Sequence, residues 1–321
     1  MSITITGGIS FTGGVGIIAP PPSTATAGWF GGGNPGTTST VQRITFATDT
    51  ATATIRGPLS TTFINGGATG TLTYGWFAGG PAPTTSVSRI TYSTDTATAS
   101  ARGPLEATRY LCAATGSDSY GYFAGGQLAP GPYQTNMSRV TYSNDTVTAT
   151  ATGTFSQGFN AASATTDTTT YGWFGGGRIP GFVAISTVNR ITYATDSGSA
   201  STRGPLSSAR YFMGATGNST YGYFGAAYSN ITSVDRITYA TDTATATKVT
   251  NMAFTDTNSI FKYSAVGNSS YGWFGGGRAF GPSAAITTIQ RIDYANDTAA
   301  LSTRGPLSAA AYSTAASSGV Q

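Results

Sequence analysis

A four-part motif recurs six times along the chain, and this repetition limits the possible folds more than any other feature of the sequence. Each copy opens with Gly-[Trp/Tyr]-Phe and small residues, then Arg-[Ile/Val]-[Thr/Asp]-[Tyr/Phe], an aspartate three residues later, and a run rich in Thr and Ala. Four copies end in Arg-Gly-Pro-Leu. The copies begin at Gly28, Gly75, Gly121, Gly172, Gly222 and Gly272, with spacings of 47, 46, 51, 50 and 50 residues. Such a period predicts one domain built from stacked, equivalent units.

Each part of the repeat has the pattern of a β-strand. In Arg89-Ile-Thr-Tyr92, apolar and polar side chains alternate with period two. We label the strands A to D: B is the Gly-aromatic-Phe strand, C the Arg-Ile-Thr-Tyr strand, and D the Thr-Ala run. Strand A is the segment that follows, such as Tyr110 to Gly116, and is predicted to be innermost. The repeated aspartate lies in the C–D turn, where its side chain is expected to cap its own backbone.

Four short strands in a repeat of 46 to 51 residues are typical of a propeller blade. An arginine ahead of strand A (Arg109, Arg210), the aromatic-Phe strand ending in glycines, and the later Tyr and Asp resemble kelch-type β-propellers. This resemblance covers residues 28–321. The sequence thus predicts an all-β, six-bladed, kelch-like propeller.

The order of the strands also predicts how the ring closes. The first complete repeat begins at strand B and the chain ends after a strand A, so blade one is complete only if both chain ends contribute to it. We therefore expect residues 312–319 to pair beside residues 28–33. Residues 1–27 precede the propeller as an extended anchoring arm, in which alternating apolar residues need a partner sheet or another chain.

Composition excludes several classes of function. The chain has no histidine, which removes Ser-His-Asp and Cys-His nucleophilic systems and histidine-ligated metals. Its one cysteine, Cys112, has no second thiol for a disulfide or a metal site. The net charge is only +4 and its arginines are spread evenly, so no nucleic-acid partner is expected. Apolar runs are too short for membrane insertion, and no cofactor or metal is expected.

Candidate ligand-binding residues lie on the face that carries the B–C loops. These loops differ among the repeats in length and amino-acid sequence, whereas the A–B and C–D turns are uniform. The B–C face is therefore the one that is free to specialise. The loop aromatics are candidates for stacking on a ligand, and the Arg-Gly-Pro-Leu arginines for binding acidic glycans or lipopolysaccharide phosphates. These residues are Tyr133, Phe182, Tyr228, Phe280, Arg56, Arg102, Arg203 and Arg304. The alternative for the arginines is a solvated corner.

Other repeated residues have structural interpretations beside functional ones. The Arg-Ile-Thr-Tyr arginines form either an anion-binding ladder or structural pairs with nearby aspartates, and the sequence favours the pairs. The strand-B tryptophans are expected in the core. Carboxylates outside the repeated turns are scattered, so the chain is not expected to be an enzyme. They are Glu106, Asp118, Asp167, Asp235, Asp256 and Asp293.

The segments Trp-Phe-Gly-Gly-Gly, Arg-Ile-Thr-Tyr-Ala-Thr-Asp and Arg-Gly-Pro-Leu-Ser resemble a repeat found in structural proteins of tailed phages of marine cyanobacteria, of the tail-fibre or decoration type. This resemblance implies a virion protein on an exposed tail or capsid surface. Residues 1–27 would bind other virion proteins, and the attachment site would set the oligomeric state. The propeller face would bind a host-surface glycan or lipopolysaccharide, or another virion protein. The alternatives are a decoration protein without a receptor and a glycan-cleaving enzyme.

Overall fold

A computed structural model describes residues 25–80, 84–128, 131–167, 169–228, 231–253, 260–279 and 284–318. Six four-stranded antiparallel sheets are arranged as the blades of one propeller, in agreement with the predicted fold. Blade I contains both ends of the described chain, and blades II to VI follow in order. The predicted arm lies almost wholly outside the described residues, since these begin at residue 25.

The strands follow the predicted order from the axis outward. Strand A comprises β28 (Ala315–Ser317), β4 (Gly67–Gly70), β8 (Ala113–Gly116), β12 (Ser163–Thr166), β18 (Gly214–Gly217) and β23 (Ser264–Gly267) in blades I to VI. Strand B comprises β1 (Ala27–Gly31), β5 (Tyr74–Ala78), β9 (Tyr120–Ala124), β13 (Tyr171–Gly175), β19 (Tyr221–Ala227) and β24 (Tyr271–Gly275). Strand C comprises β2 (Val41–Thr45), β6 (Val87–Thr91), β10 (Asn136–Thr141), β16 (Val188–Thr192), β20 (Ile231–Thr238) and β26 (Ile289–Asp293). Strand D comprises β3 (Thr54–Arg56), β7 (Ser100–Arg102), β11 (Thr150–Thr154), β17 (Ser201–Arg203), β21 (Thr247–Asn251) and β27 (Ser302–Arg304).

Four two-residue strands lie beside the blades, and six single-turn helices connect strands C and D. The short strands are β14 (Arg178–Ile179), β15 (Val183–Ala184), β22 (Ile260–Phe261) and β25 (Arg278–Ala279). The helices are Phe46–Thr48, Tyr92–Thr94, Tyr142–Asn144, Tyr193–Thr195, Tyr239–Thr241 and Tyr294–Asn296. None of these helices, in the part of the chain that is described, has the length and apolar character of a membrane span.

Pairing of the two chain ends closes the ring. Strand β28 is antiparallel to β1, with Trp29 opposite Ser317 and Gly31 opposite Ala315. A further bridge joins Asn34 to Tyr312. The predicted pairing of the C-terminal strand with the first blade is therefore confirmed over the residues that are described.

A repeated cluster of one aromatic ring, one aspartate and one or two arginines joins each blade to the next. The strand-B aromatic donates a hydrogen bond of 2.7–2.9 Å to the aspartate that ends the following blade's helix. The strand-C arginine pairs with the same carboxylate at 2.7–3.2 Å. The donor–acceptor pairs are Trp29–Asp95, Trp76–Asp145, Tyr122–Asp196, Trp173–Asp242, Tyr223–Asp297 and Trp273–Asp49.

Two expectations about these clusters are settled by their geometry. The strand-C arginines do pair with aspartates, as predicted, and the tryptophans are buried in the core. The expectation that each aspartate caps its own turn is wrong, because its side chain crosses to the preceding blade instead. A buried carboxylate needs cationic partners, and those partners stand on the neighbouring sheet.

The Arg-Gly-Pro-Leu motif also joins neighbouring blades. Gly57 donates its N–H to the Asp95 carbonyl, and a Cβ at Gly57 would collide with the backbone of Ala97 in the next blade. Leu59 then fills the apolar space between blades I and II. Proline has no N–H for a sheet ladder, so strand D ends at the arginine before it.

The Thr-Ala run was expected to be strand D, and this is correct only for its last residues. In blade II, residues 95–97 form a turn, and β7 begins at Ser100. The Ala99 N–H donates to the Pro58 carbonyl of blade I, which places the run under the preceding blade's Gly-Pro corner. In blades III and V, which lack that motif, strand D extends to Thr154 and Asn251.

The two faces of the ring differ as the repeats predict. In five blades the A–B turn is fixed by one side chain that accepts hydrogen bonds from the backbone two and three residues on. These side chains are Thr71, Ser117, Asp167, Asn218 and Asn268. The opposite face has a different B–C connection in each blade, including a hairpin in blade IV and a direct extension of both strands in blade V.

Candidate functional site

The inner strands surround a central channel with a cavity of about 180 Å³. In each blade, the residue two positions before strand A lines this channel at the face that carries the B–C loops. We call these six residues the channel mouth. They are Asn65, Leu111, Ala161, Phe212, Lys262 and Ser313. All six have positive φ angles, between 53° and 62°, although none is glycine.

The backbones of the channel mouth form a closed ring of hydrogen bonds. Each N–H donates to the carbonyl of the equivalent residue in the preceding blade, at 2.7–3.1 Å, and the last bond runs from Asn65 to Ser313. Left-handed backbone costs on the order of 1 kcal/mol for a residue with a Cβ, and it persists where surrounding structure fixes it. Here the ring of bonds supplies that constraint and holds six side chains around one opening.

Positive charge and aromatic rings converge on one half of this opening. We call Arg178, Tyr211, Phe212, Lys262, Arg278 and Tyr312 the cation–aromatic cluster. The Lys262 ammonium lies 4.7 Å from the Phe212 ring centre and 5.6 Å from that of Tyr312. The Arg178 guanidinium lies 5.2 Å and 5.3 Å from the ring centres of Tyr211 and Phe212, and that of Arg278 lies 5.3 Å from Tyr312. The three cations therefore share neighbouring rings.

Burial, followed by the positive charges of Arg278 and Arg178, lowers the pKa of Lys262 to about 8. Among the carboxylates that the structure describes, none forms an ion pair with Lys262 or Arg178. The inter-blade arginines, by contrast, each face an aspartate. The electrostatic field at this half of the mouth therefore favours an anion.

Amide side chains beside the mouth form hydrogen bonds with their neighbours. Asn65 donates to the Tyr110 hydroxyl at 3.0 Å, and Asn160 donates to Gln127 at 2.6 Å. Arg178 donates from Nε to the side-chain oxygen Oδ1 of Asn160 at 3.2 Å, which links the amides to the cation–aromatic cluster. Asn160 is fully buried, so its hydrogen bonds position the Arg178 side chain rather than face the opening.

Two of the four predicted loop aromatics contact the cation–aromatic cluster. Tyr228 stacks on Tyr211 with ring centres 5.0 Å apart. Phe182, at the tip of the β14–β15 hairpin, is 73% exposed and lies 5.1 Å from the Arg178 guanidinium. Tyr133 is half-buried and bridges to Gln127 in blade III. Phe280 lies outside the described residues.

The four predicted arginines lie elsewhere, between the blades. Each guanidinium approaches the next blade's aspartate at 3.4–3.5 Å, and the side chains are 17–22% exposed. The pairs are Arg56–Asp95, Arg102–Asp145, Arg203–Asp242 and Arg304–Asp49. These residues hold neighbouring blades together, and their part in ligand binding stays a prediction.

Sequence reasoning missed Arg178, Phe212 and Lys262, which are central to the cation–aromatic cluster. Their signal is in the repeat alignment: the residue after the strand-B glycines and the residue two positions ahead of strand A both vary among blades. Lys262 is also one of only two lysines in the chain, with Lys248. What the repeat cannot reveal is that the backbone at these positions turns their side chains toward the axis.

Other chemistry-bearing groups of the described chain are occupied or dispersed. Burial raises the pKa of the Cys112 thiol to about 11, so the thiol is protonated at neutral pH. Within the described ranges, no three acidic or cysteine side chains are grouped closely enough to hold a metal ion. No protein-family model and no curated protein matches this chain.

Proposed function

We propose that this chain is a non-enzymatic structural protein of a phage virion, and that its B–C face attaches to glycan on the host surface. The observation that carries the proposal is the contrast between the two faces of the ring, one uniform among the blades and the other variable. All six blades keep the inter-blade aspartate clusters, and five keep side-chain-fixed A–B turns. Divergence among the blades is concentrated in the B–C loops and the channel mouth.

Variation within one chain separates scaffold from specialised surface. Equivalent positions experience the same packing in every blade, so a requirement of the fold appears in all six. The mouth positions hold Asn, Leu, Ala, Phe, Lys and Ser on one conserved backbone geometry. A surface that the scaffold leaves free, and that carries exposed aromatic and charged side chains, supports a role in recognition.

The pairing of the acidic side chains supports a non-enzymatic role. The repeated aspartates neutralise inter-blade arginines, while Asp235 is fully buried against Arg210 and Glu106 faces Arg109. Hydrolysis of a glycosidic bond ordinarily uses a pair of carboxylates placed on either side of that bond. The virion setting is supported by the resemblance of the repeated segments to structural proteins of tailed phages of marine cyanobacteria. Residues 1–27 are proposed to anchor the propeller to other virion proteins.

Location and attachment can be tested together. Immunogold labelling of virions that contain this chain is expected to mark an exposed tail or capsid surface. The purified full-length protein, fluorescently labelled, is expected to bind intact host cells and to lose binding after periodate oxidation of surface sugars. A double substitution of Tyr133→Ser and Phe182→Ser is expected to weaken that binding.

Each result decides between the proposal and its alternatives. An exposed location without cell binding overturns attachment and leaves a decoration protein. A location inside the particle overturns both the attachment role and the decoration role. Release of reducing sugar from host polysaccharide by the purified protein overturns the non-enzymatic assignment in favour of a glycan-cleaving enzyme.

A further inference from the structure

We infer that the channel mouth binds the acidic group of an anionic glycan, with Arg178 and Lys262 holding the negative charge and the rings of Phe212 and Tyr312 packing against the sugar. This inference rests on the proposed function, since it names the class of glycan and the residues that recognise it. The acidic group is a carboxylate, sulfate or phosphate ester, each of which forms charge-assisted hydrogen bonds with guanidinium and ammonium groups.

The arrangement of charge is the first step of the argument. Lys262 is half-buried, and both nearby charges that act on it, Arg178 and Arg278, are positive. Like charges held together raise the free energy of the empty site. A bound anion removes that repulsion, so its binding gains from the loss of an unfavourable interaction as well as from new contacts.

The second step is that these side chains are held in place. Lys262 and Phe212 occupy successive positions of the hydrogen-bonded ring, with φ angles of 61° and 58°. The Arg178 guanidinium is held by a hydrogen bond to the Asn160 side chain and by contacts with the rings of Tyr211 and Phe212. Side chains that are already held in place lose less entropy when a ligand binds.

The third step selects a sugar over other anions. Aromatic rings at the mouth offer apolar faces to the C–H groups of a sugar ring. The cavity lining also contains the polar side chains of Asn65 and Ser313. A cavity of about 180 Å³ holds on the order of ten water molecules. A terminal or branching sugar residue therefore enters the mouth, while the rest of the polysaccharide lies across the B–C face.

The compactness of the cluster argues against a nucleic acid. Proteins that bind single strands follow the phosphate backbone with a charged groove several nucleotides long. Here the cations meet at one opening, and the inter-blade arginines are engaged by aspartates. A single point of charge fits one acidic substituent better than a row of phosphates.

The test measures binding of the full-length protein to defined oligosaccharides by calorimetry. The probes are oligogalacturonate, a sulfated dextran oligosaccharide, a phosphorylated oligomannose, neutral dextran of matched length, and a single-stranded oligonucleotide. We expect at least one acidic oligosaccharide to bind tenfold or more tightly than neutral dextran. The three acidic probes distinguish carboxylate, sulfate and phosphate as the recognised group.

The chain's two lysines provide a matched comparison. Lys262→Gln is expected to weaken binding of the acidic probe by about tenfold, and Lys262→Arg to retain it. Lys248→Gln removes the same charge from an exposed outer-strand position and is expected to change binding less than twofold. In the wild-type protein, the bound probe should slow acylation of Lys262, measured by mass spectrometry, and leave acylation of Lys248 unchanged.

Three results would overturn the inference. They are equal loss of affinity in the Lys262→Gln and Lys248→Gln variants, tighter binding of the oligonucleotide than of every acidic oligosaccharide, and equal binding of neutral and acidic probes. The last result leaves a glycan-binding propeller in place, so failure of this inference differs from failure of the proposed function, in which host cells are not bound.

Discussion

At the scale of single residues, one blade junction differs from the other five by a matched pair of side chains. A tyrosine directly after strand C, called the strand-C tyrosine below, opens the single-turn helix of five blades. Its hydroxyl meets a hydroxyl or carbonyl oxygen of a threonine or serine in the inner strand of the preceding blade. At the junction of blades VI and I, the tyrosine is replaced by Phe46 and the inner-strand hydroxyl residue by Val266, and both lie in one apolar cluster. A buried hydroxyl needs a partner, so both groups are exchanged together.

This pairing predicts a coupled response to substitution. Phe46→Tyr alone places a hydroxyl against the Val266 methyls and is expected to lower the free energy of unfolding by about 1–3 kcal/mol. Adding Val266→Thr supplies the partner and should restore most of that loss, a coupling of about 1 kcal/mol or more in chemical denaturation.

The reverse exchange is the control for that cycle. Tyr142 and Thr69 form the hydroxyl pair at the junction of blades II and III, at 2.9 Å. Tyr142→Phe and Thr69→Val should each destabilise the protein, and the double variant should be destabilised by less than the sum of the two single effects. Additive effects in both cycles would show that the two side chains do not act as a pair.

At the scale of elements, blade I is the only blade of the described chain assembled from two distant segments. Strand β28 covers the inner edge of β1, and Ser317 adds a hydroxyl contact to Tyr92 of blade II at 2.7 Å. Ala315 packs in the cluster that contains Trp29 and Phe77. The last strand therefore completes one blade and also fastens it to the next.

Truncation after residue 311 is expected to expose the inner edge of β1 and part of its apolar face. We expect the free energy of unfolding to fall by about 5 kcal/mol. Since the thermal midpoint of a large domain shifts by about 2 °C per kcal/mol, the midpoint should fall by about 10 °C. Calorimetry of the truncated chain measures this shift. A permuted chain in which residues 308–318 precede residue 24 restores the strand order and should recover most of the midpoint. An unchanged midpoint after truncation would contradict closure of the ring by β28.

At the scale of the whole molecule, the fold lowers the pKa of a lysine at the mouth and raises the pKa values of tyrosines at the blade junctions. The pKa of Lys262 is lowered to about 8 by burial and by Arg278 and Arg178, and its other close neighbours are the rings of Phe212 and Tyr312. Burial raises the pKa of the strand-C tyrosines above the ordinary value of 10.0. These tyrosines are Tyr92, Tyr142, Tyr193, Tyr239 and Tyr294.

These shifts predict a maximum in stability at alkaline pH. Between pH about 8 and 10.5 the unfolded chain retains the Lys262 proton that the folded protein has lost, so stability rises with pH across this window. Above pH about 10 the unfolded tyrosines lose protons that the folded ones keep, so stability falls. Thermal unfolding should show a rise from pH 7 to 9.5 that is reduced in Lys262→Gln, and a fall above pH 10 in both proteins. The same rise in both would contradict the charge assigned to Lys262.

The blade number, the strand order and the closure of the ring follow from the sequence because each depends on a period that repeats six times. The C–D segment was predicted less well, since alternation of Thr and Ala suits a strand but here lies beneath a neighbouring Gly-Pro corner. Among the candidate site residues, Phe182 and Tyr228 reach the cation–aromatic cluster, while the four predicted arginines face aspartates.

The sequence by itself determined the architecture and the face on which the blades differ, because strand periodicity and turn residues are local properties. Only the tertiary structure decided which side chains meet. Trp29 and Asp95 are 66 residues apart, and Phe212 and Lys262 become neighbours only when the ring turns equivalent positions toward one axis. Contacts between equivalent residues of successive blades depend on the angle between sheets and on left-handed backbone at the mouth, and neither leaves a pattern within a single repeat.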